Sequence, residues 1–127
     1  MDSQRKNTRD PYIDYLIELV SPLGTATARP MFGGWGMYVD AVMIGLVADE
    51  MLYLKVDEQA RAQFEAAGSV SFVYDSKTRQ ITMSYWSTPE KAMDSPEATQ
   101  PWAQLAFEAA LRKVAKKPQR KRNEHIY

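Results

Sequence analysis

ARPMFGGWGMY, from Ala28 to Tyr38, decides how the rest of the chain is read. Pro30 has no N–H and a fixed φ, which suits the entry or edge of a strand. Gly33, Gly34 and Gly36 permit positive φ and close backbone approach. With strand formers on both sides, the stretch predicts strand, tight glycine turn, strand. GGWG matches neither a P-loop nor a GxGxxG fingerprint opening a helix, so its glycines read as turn residues rather than as a phosphate cradle.

Working outward, a period of two runs from Thr25 to Val56 and predicts strands Ala26–Met31, Gly36–Val39, Val42–Ala48 and Met51–Val56. They join at Gly33-Gly34, Asp40-Ala41 and Asp49-Glu50. In the last strand Leu52, Leu54 and Val56 should face the core, with Met51, Tyr53 and Lys55 on the other side. Upstream, Asp10-Pro11 is an N-cap followed by a first-turn proline, opening a helix whose apolar stripe is Tyr12, Ile13, Leu16, Ile17 and Val20. Ser21-Pro22-Leu23-Gly24 ends it. Downstream, Asp57 caps a short helix, Glu58–Ala67, and a second hairpin pairs Val70–Tyr74 with Gln80–Trp86 around Asp75-Ser76-Lys77. A helix start at Ser87-Thr88-Pro89-Glu90 is broken by Met93-Asp94-Ser95-Pro96. The last helix is expected from Gln100 to Lys116, with Pro101 near its start and Pro118 closing the domain.

This order, α-β-β-β(-β)-α-β-β-α, describes an α+β domain with an antiparallel sheet of about five to six strands and helices packed against it. The domain is expected over residues 10–117, between a disordered N-terminus, 1–9, and a basic flexible tail, 118–127.

Four blocks in fixed order carry a family resemblance: ARPMFGGWGMY, LYLKVD at Leu52–Asp57, TMSYW at Thr82–Trp86 and PWAQLAFEAAL at Pro101–Leu111. Together they resemble the N-terminal domain of the TfoX/Sxy competence-regulator family, over about Tyr12 to Val114. The resemblance implies a fold similar to YgaC/TfoX-N and secretion-chaperone-like proteins. It also implies a non-enzymatic cytoplasmic regulatory or adaptor protein, acting by protein contact and linked to transcriptional regulation of DNA-uptake competence. The partner it implies is the transcription machinery or a cyclic-AMP receptor protein, with which two-domain members of the family act. Relatives usually carry Asp-Gly at the last two turns; Ala41 and Glu50 here predict longer or strained turns.

Composition agrees with one core in 127 residues, 45% of them hydrophobic, and with no bilayer-length apolar run. Zero cysteines exclude disulfides and thiolate chemistry, and with no signal-peptide pattern at the N-terminus a cytoplasmic protein is expected. A formal net charge of zero hides a split: residues 1–111 carry nine Lys/Arg against fifteen Asp/Glu, whereas 112–127 carry seven against Glu124 alone. The basic arm, Arg112, Lys113, Lys116, Lys117, Arg120, Lys121 and Arg122, reads either as phosphate contacts to nucleic acid or as a solubilising end.

Catalytic chemistry finds no foothold. The single histidine, His125, lies in the polar tail, acid pairs fall at turns and caps, and no cofactor motif or metal-ligand spacing occurs. The candidate recognition surface is Arg29, Phe32, Gly33, Gly34, Trp35, Tyr53, Lys55, Tyr85 and Trp86, where cations beside rings suit a protein partner or a stacked base. The structural alternative puts Trp35 and Tyr85 in the core and the Arg29 and Lys55 heads in water. A small-ligand-binding domain is the third reading, in which the sheet around Lys55 and Tyr85 would open into a pocket with convergent polar groups. Methionines such as Met31, Met43 and Met51 add adaptable apolar area, and a homodimer through a sheet face or edge fits the same pattern.

Overall fold

The computed structural model describes the backbone of residues 10–31, 33–75 and 80–125, with side chains placed within 10–31, 33–73 and 84–115. Helix α1, Pro11–Val20, starts where its cap predicts: the Asp10 carboxylate accepts the Tyr12 N–H at 2.9 Å, and proline fills the first turn. Its buried side chains are Ile13, Leu16, Leu19 and Val20. A 3₁₀ turn, Ser21–Leu23, ends it.

Then follow β1 (Ala26–Met31), β2 (Gly34–Val39), β3 (Val42–Ala48), β4 (Met51–Lys55), α2 (Arg61–Ala66), β5 (Ser71–Asp75), β6 (Gln80–Ser87), a 3₁₀ turn (Glu90–Asp94) and α3 (Pro96–His125). The strands form one antiparallel six-stranded sheet in the order β1-β2-β3-β4-β6-β5, so the fold is α+β.

Register explains the core. Val47 lies between Trp35 and Leu52, Gly45 between Met37 and Leu54, and Val39 beside Ala26 and Val42, so these residues share one sheet face. Onto it pack Leu16, Leu19 and Val20 of α1, Phe64 of α2, and Ala103, Ala106 and Ala110 of α3. Alanines at this spacing form one small-residue stripe, which lets the long helix lie close to the strands. The ring of Phe64 meets that of Trp102 edge-on at 5.0 Å.

Four boundaries differ from the sequence reading by two residues or more. Strand β2 begins at Gly34 rather than Gly36: only Gly33, at φ +77°, is a turn glycine, whereas a Cβ on Gly34 would collide with the Val47 carbonyl oxygen. Helix α2 begins at Arg61, because residues 58–60 form a turn closed by Ala60 N–H to Asp57 O at 3.1 Å. Helix α3 begins at Pro96: Ser95-Pro96, read from sequence as a break, is a cap followed by a first-turn proline, with Ser95 Oγ accepting from Ala98 N–H at 3.1 Å. The same helix runs to His125 and carries Pro118 inside it rather than ending at Lys116. Proline removes one helical donor there, and the surrounding Gln, Arg and Lys residues are good helix formers.

The turns at Asp40-Ala41 and Asp49-Glu50 remain two residues long and take the strain, with φ of 50°, 68°, 52° and 59° in chain order. Each non-glycine residue in this left-handed region costs roughly 1–2 kcal/mol. Asp40 offsets part of this cost locally: its carboxylate accepts the Thr25 N–H at 2.9 Å and its own N–H donates to Thr25 O at 2.9 Å. Among the described residues no helix is long and apolar enough to cross a membrane. The expected 1–9 terminus and the Ser76-Lys77 turn lie outside the described residues.

Candidate functional site

The sheet has a second face, and no described helix packs on it. Alternation from the core positions places Arg29 of β1, Gly36 and Tyr38 of β2, Leu46 of β3, and Tyr53 and Lys55 of β4 on that side. Tyr85 of β6 pairs directly with Lys55. The Phe72 ring lies 4.7 Å from that of Tyr53, extending the aromatic surface onto β5.

Close packing within this face depends on Gly36. A Cβ there would come within 2.7 Å of Met31 Sδ, 3.2 Å of Tyr38 Cε1 and 3.4 Å of Met43 Cε, so the bare backbone lets these side chains close over it. The Arg29 guanidinium carbon stands 5.1 Å from the Tyr38 ring centre, within cation–π range. Burial raises the Tyr85 hydroxyl above its usual range, and the neighbouring Tyr38 adds to the shift. Leu46, paired with Gly36 and Tyr53, is buried although it points away from the main core.

Lys55 is the unexpected member. Only 5% of it is exposed, its Nζ lies 2.6 Å from Ser84 Oγ, and it stands 5.2 Å from the Tyr85 ring centre. Burial pushes its ammonium below the ordinary lysine range, and the Lys113 ammonium pushes it further; Asp57 acts weakly in the opposite direction. The alternative in which its head lies in water therefore does not hold: this last residue of β4 is buried, with its ammonium on Ser84 Oγ.

Asp57 is already committed. Its two carboxylate oxygens accept from Arg112 Nε at 2.7 Å and Arg112 Nη2 at 2.9 Å, and Oδ1 also accepts from Ala60 N–H at 3.2 Å. These bonds, led by the arginine's, hold its carboxyl below the usual carboxylate range.

The structure divides the predicted surface. Arg29, Tyr53, Lys55 and Tyr85 come together on the open face. Trp35 and Trp86 stand on the opposite, helix-covered face and pack against the core. Trp35 and Gly33-Gly34 instead border a separate cavity of about 240 Å³ with Tyr12, Asp49 and Glu50. Phe32 lies outside the described residues. Tyr38, Leu46 and Phe72 are the members that sequence reasoning missed; continuing the alternation used for β4 into β2 would have found Tyr38. Of the basic arm, Arg112 is engaged by Asp57 and Lys113 is exposed, whereas the side chains of Lys116, Lys117, Arg120, Lys121 and Arg122 lie outside the described residues. Among the described residues no group of His, Asp and Glu converges as a metal site.

Comparison with known proteins matches residues 18–110 to the TfoX N-terminal domain. The chain is 33% identical over 89 residues to DNA transformation protein TfoX1 of Aliivibrio fischeri (strain ATCC 700601 / ES114), covering 70% of this chain and 43% of that protein. It is 26% identical over 105 residues to Protein Sxy of Escherichia coli (strain K12), covering 83% of this chain and 50% of that protein. The chain thus spans about half the length of the curated relatives it matches. With a family match across most of its folded residues, and with the hairpin and the α3 core stripe inside the matched region, the chain belongs to the TfoX N-terminal domain family.

Proposed function

We propose that this domain is a non-enzymatic regulator that works by protein contact through its open sheet face, within the control of DNA-uptake competence in the cytoplasm. The observation that carries the reading is the surface itself: Tyr38, Tyr53, Phe72 and Tyr85 share with Arg29, which stands over Tyr38, a face that no described helix covers. Rigid aromatic rings next to an arginine are the side chains that dominate protein–protein contacts. Family membership and the name of the A. fischeri relative supply the competence context. By the same analogy the partner is a component of the transcription machinery or a cyclic-AMP receptor protein.

The test replaces the matched part of TfoX1 with this chain in A. fischeri and measures transformation frequency. Restored transformation that is lost in Arg29→Ala or Tyr53→Ala, with the variant chains folded, supports the reading. A folded, expressed chimera that restores nothing overturns it.

A second reading, contact with nucleic acid, draws on the continuity of α3 through Pro118, which strings the cations from Arg112 to Arg122 on one helix. Because Arg112 is held by Asp57, the remaining cations would give binding that falls roughly as the fifth power of salt. Binding of duplex DNA that is unchanged on removal of residues 115–127 would exclude it.

A further inference from the structure

We propose that the groove bordered by the Asp49-Glu50 turn, the Glu90–Asp94 turn and the link between α2 and β5 binds a peptide segment of a partner protein, one in which an apolar side chain adjoins a lysine or arginine. The groove has a volume of about 520 Å³ and lies where β4 begins and β6 ends. None of the aromatic residues of the open sheet face lines it except through their chain neighbours, so the inference stands apart from the reading of that face.

An orphaned hydroxyl is the starting point. Ser69 borders the groove and is 8% exposed, and its Oγ has no hydrogen-bond partner. Polar groups around it are tied within the fold: Ser69 N–H donates to Phe64 O at 3.0 Å, Ser87 Oγ accepts from Val70 N–H at 3.1 Å, and Thr88 Oγ1 donates to Leu52 O at 2.9 Å. An unpaired buried hydroxyl weakens a fold, and a bound group that pairs with it recovers the loss. Gly68, its neighbour, also lines the groove, and a Cβ built there would meet nothing within 4 Å, so a peptide backbone has room to approach.

The walls and rim define the rest of the occupant. Val70, at 62% the most exposed large apolar side chain among the described residues, borders the groove with Met51, 47% exposed, and Met93. Methionines adapt their shape to an inserted side chain. The Tyr15 hydroxyl donates to Met93 O at 2.6 Å and fixes the backbone on that side. Glu50 and Glu90 are exposed lining residues, and no lysine or arginine lines the groove. Ion pairs among the described residues use Arg61 and Arg112, which leaves both carboxylates without a matching cation. A peptide supplies the three complements together: a backbone polar group for Ser69, an apolar side chain for Met51, Val70 and Met93, and a cation for Glu50 and Glu90. A nucleic-acid backbone would instead meet like charge at this rim.

The experiment titrates the full chain with the capped tripeptide acetyl-Lys-Leu-Lys-amide and follows methionine methyl and backbone amide NMR signals. Saturable shifts of Met51, Met93 and Ser69 are expected, with a dissociation constant on the order of millimolar or tighter. Peptides with serine in place of leucine, or glutamate in place of both lysines, should bind at least about tenfold more weakly. Ser69→Ala removes only the orphaned oxygen, so the fold is retained while affinity falls about three- to tenfold. Glu50→Gln and Glu90→Gln, both at exposed positions, should each lower affinity about two- to threefold and flatten its dependence on salt. No saturable shift at Met51 and Met93, equal binding by the serine or glutamate peptide, or undiminished affinity in Ser69→Ala would overturn the site. Shifts at the same methyls that grow with protein concentration alone would assign the groove to a second copy of the chain and overturn its assignment to a partner's peptide.

Discussion

One sheet presents two faces built to different rules, and neighbours on β4 show it most directly. Leu54 turns toward the helices and is fully buried, packed with α1 and α3; Tyr53, one residue earlier, turns away, is half-buried and leans on Phe72. The first face is a packed interior, whose parts are held by volume; the second is a surface layer one side chain deep. The faces should therefore separate in a mutational comparison. Leu54→Ala should destabilise by about 3 kcal/mol, from lost transfer energy and the cavity left behind. Tyr53→Ala should cost roughly 1 kcal/mol, most of it the lost ring pair. Urea denaturation of both variants measures the difference; equal losses would mean that the open face is as much a core as the other.

The α3 junction, where the faces meet, should give the next largest effect. Asp57→Ala removes both bonds to Arg112 and the acceptor for Ala60 N–H. Because the pair is about one-third exposed, solvent screening limits the expected loss to roughly 1–2 kcal/mol near neutral pH. Its pH dependence has a definite sign. The folded Asp57 carboxyl lies below its unfolded value, so its contribution is fully present above the ordinary carboxylate pKa and is lost as pH falls through the folded one. Parent and Asp57→Ala stabilities should therefore converge in acid, and a gap that persists at pH 2 would count against the ion pair.

Legibility followed the same division. Strands β1 and β3 and the start of α1 were readable to the residue, because Pro30, the Asp10-Pro11 cap and the period-two runs act locally. The helix-covered face was readable for the same reason, since Leu52 and Leu54 alternate with polar or aromatic residues. What sequence could not supply was pairing between distant strands: Trp86 is fixed on the core side by its register with Leu54, and Trp35 by its register with Val47. Nor could it reveal that Lys55 would be buried with its ammonium on Ser84, which lies far along the chain. The turns were read correctly as a choice between length and strain, and the register of neighbouring strands decides for strain. Replacing Ala41 with Gly should accordingly stabilise the fold by about 1 kcal/mol, and Glu50→Gly similarly. Thermal denaturation checks this, and a lower midpoint in Ala41→Gly would show that the left-handed turn is not strained.

Lys55 gives the smallest expected change in stability and the sharpest test of which rule governs the boundary. If its corner belonged to the packed interior alone, a methionine of similar length would serve as well or better, because burying an ammonium is unfavourable. The folded Lys55 ammonium titrates below its unfolded value, so the native state is penalised as pH falls from that unfolded value through the folded one, and the full penalty applies below. Lys55→Met in chloride should thus match or exceed the parent by less than about 1 kcal/mol at pH 7, with the advantage shrinking toward pH 11 as the parent lysine loses its proton. A variant less stable than the parent at pH 7, with no such convergence, would mean that the Lys55–Ser84 bond is a structural tie. A gain at pH 7 that fades in alkali would mean that the sequence retains a destabilising charge at this corner, as a site kept for a ligand rather than for the fold would do.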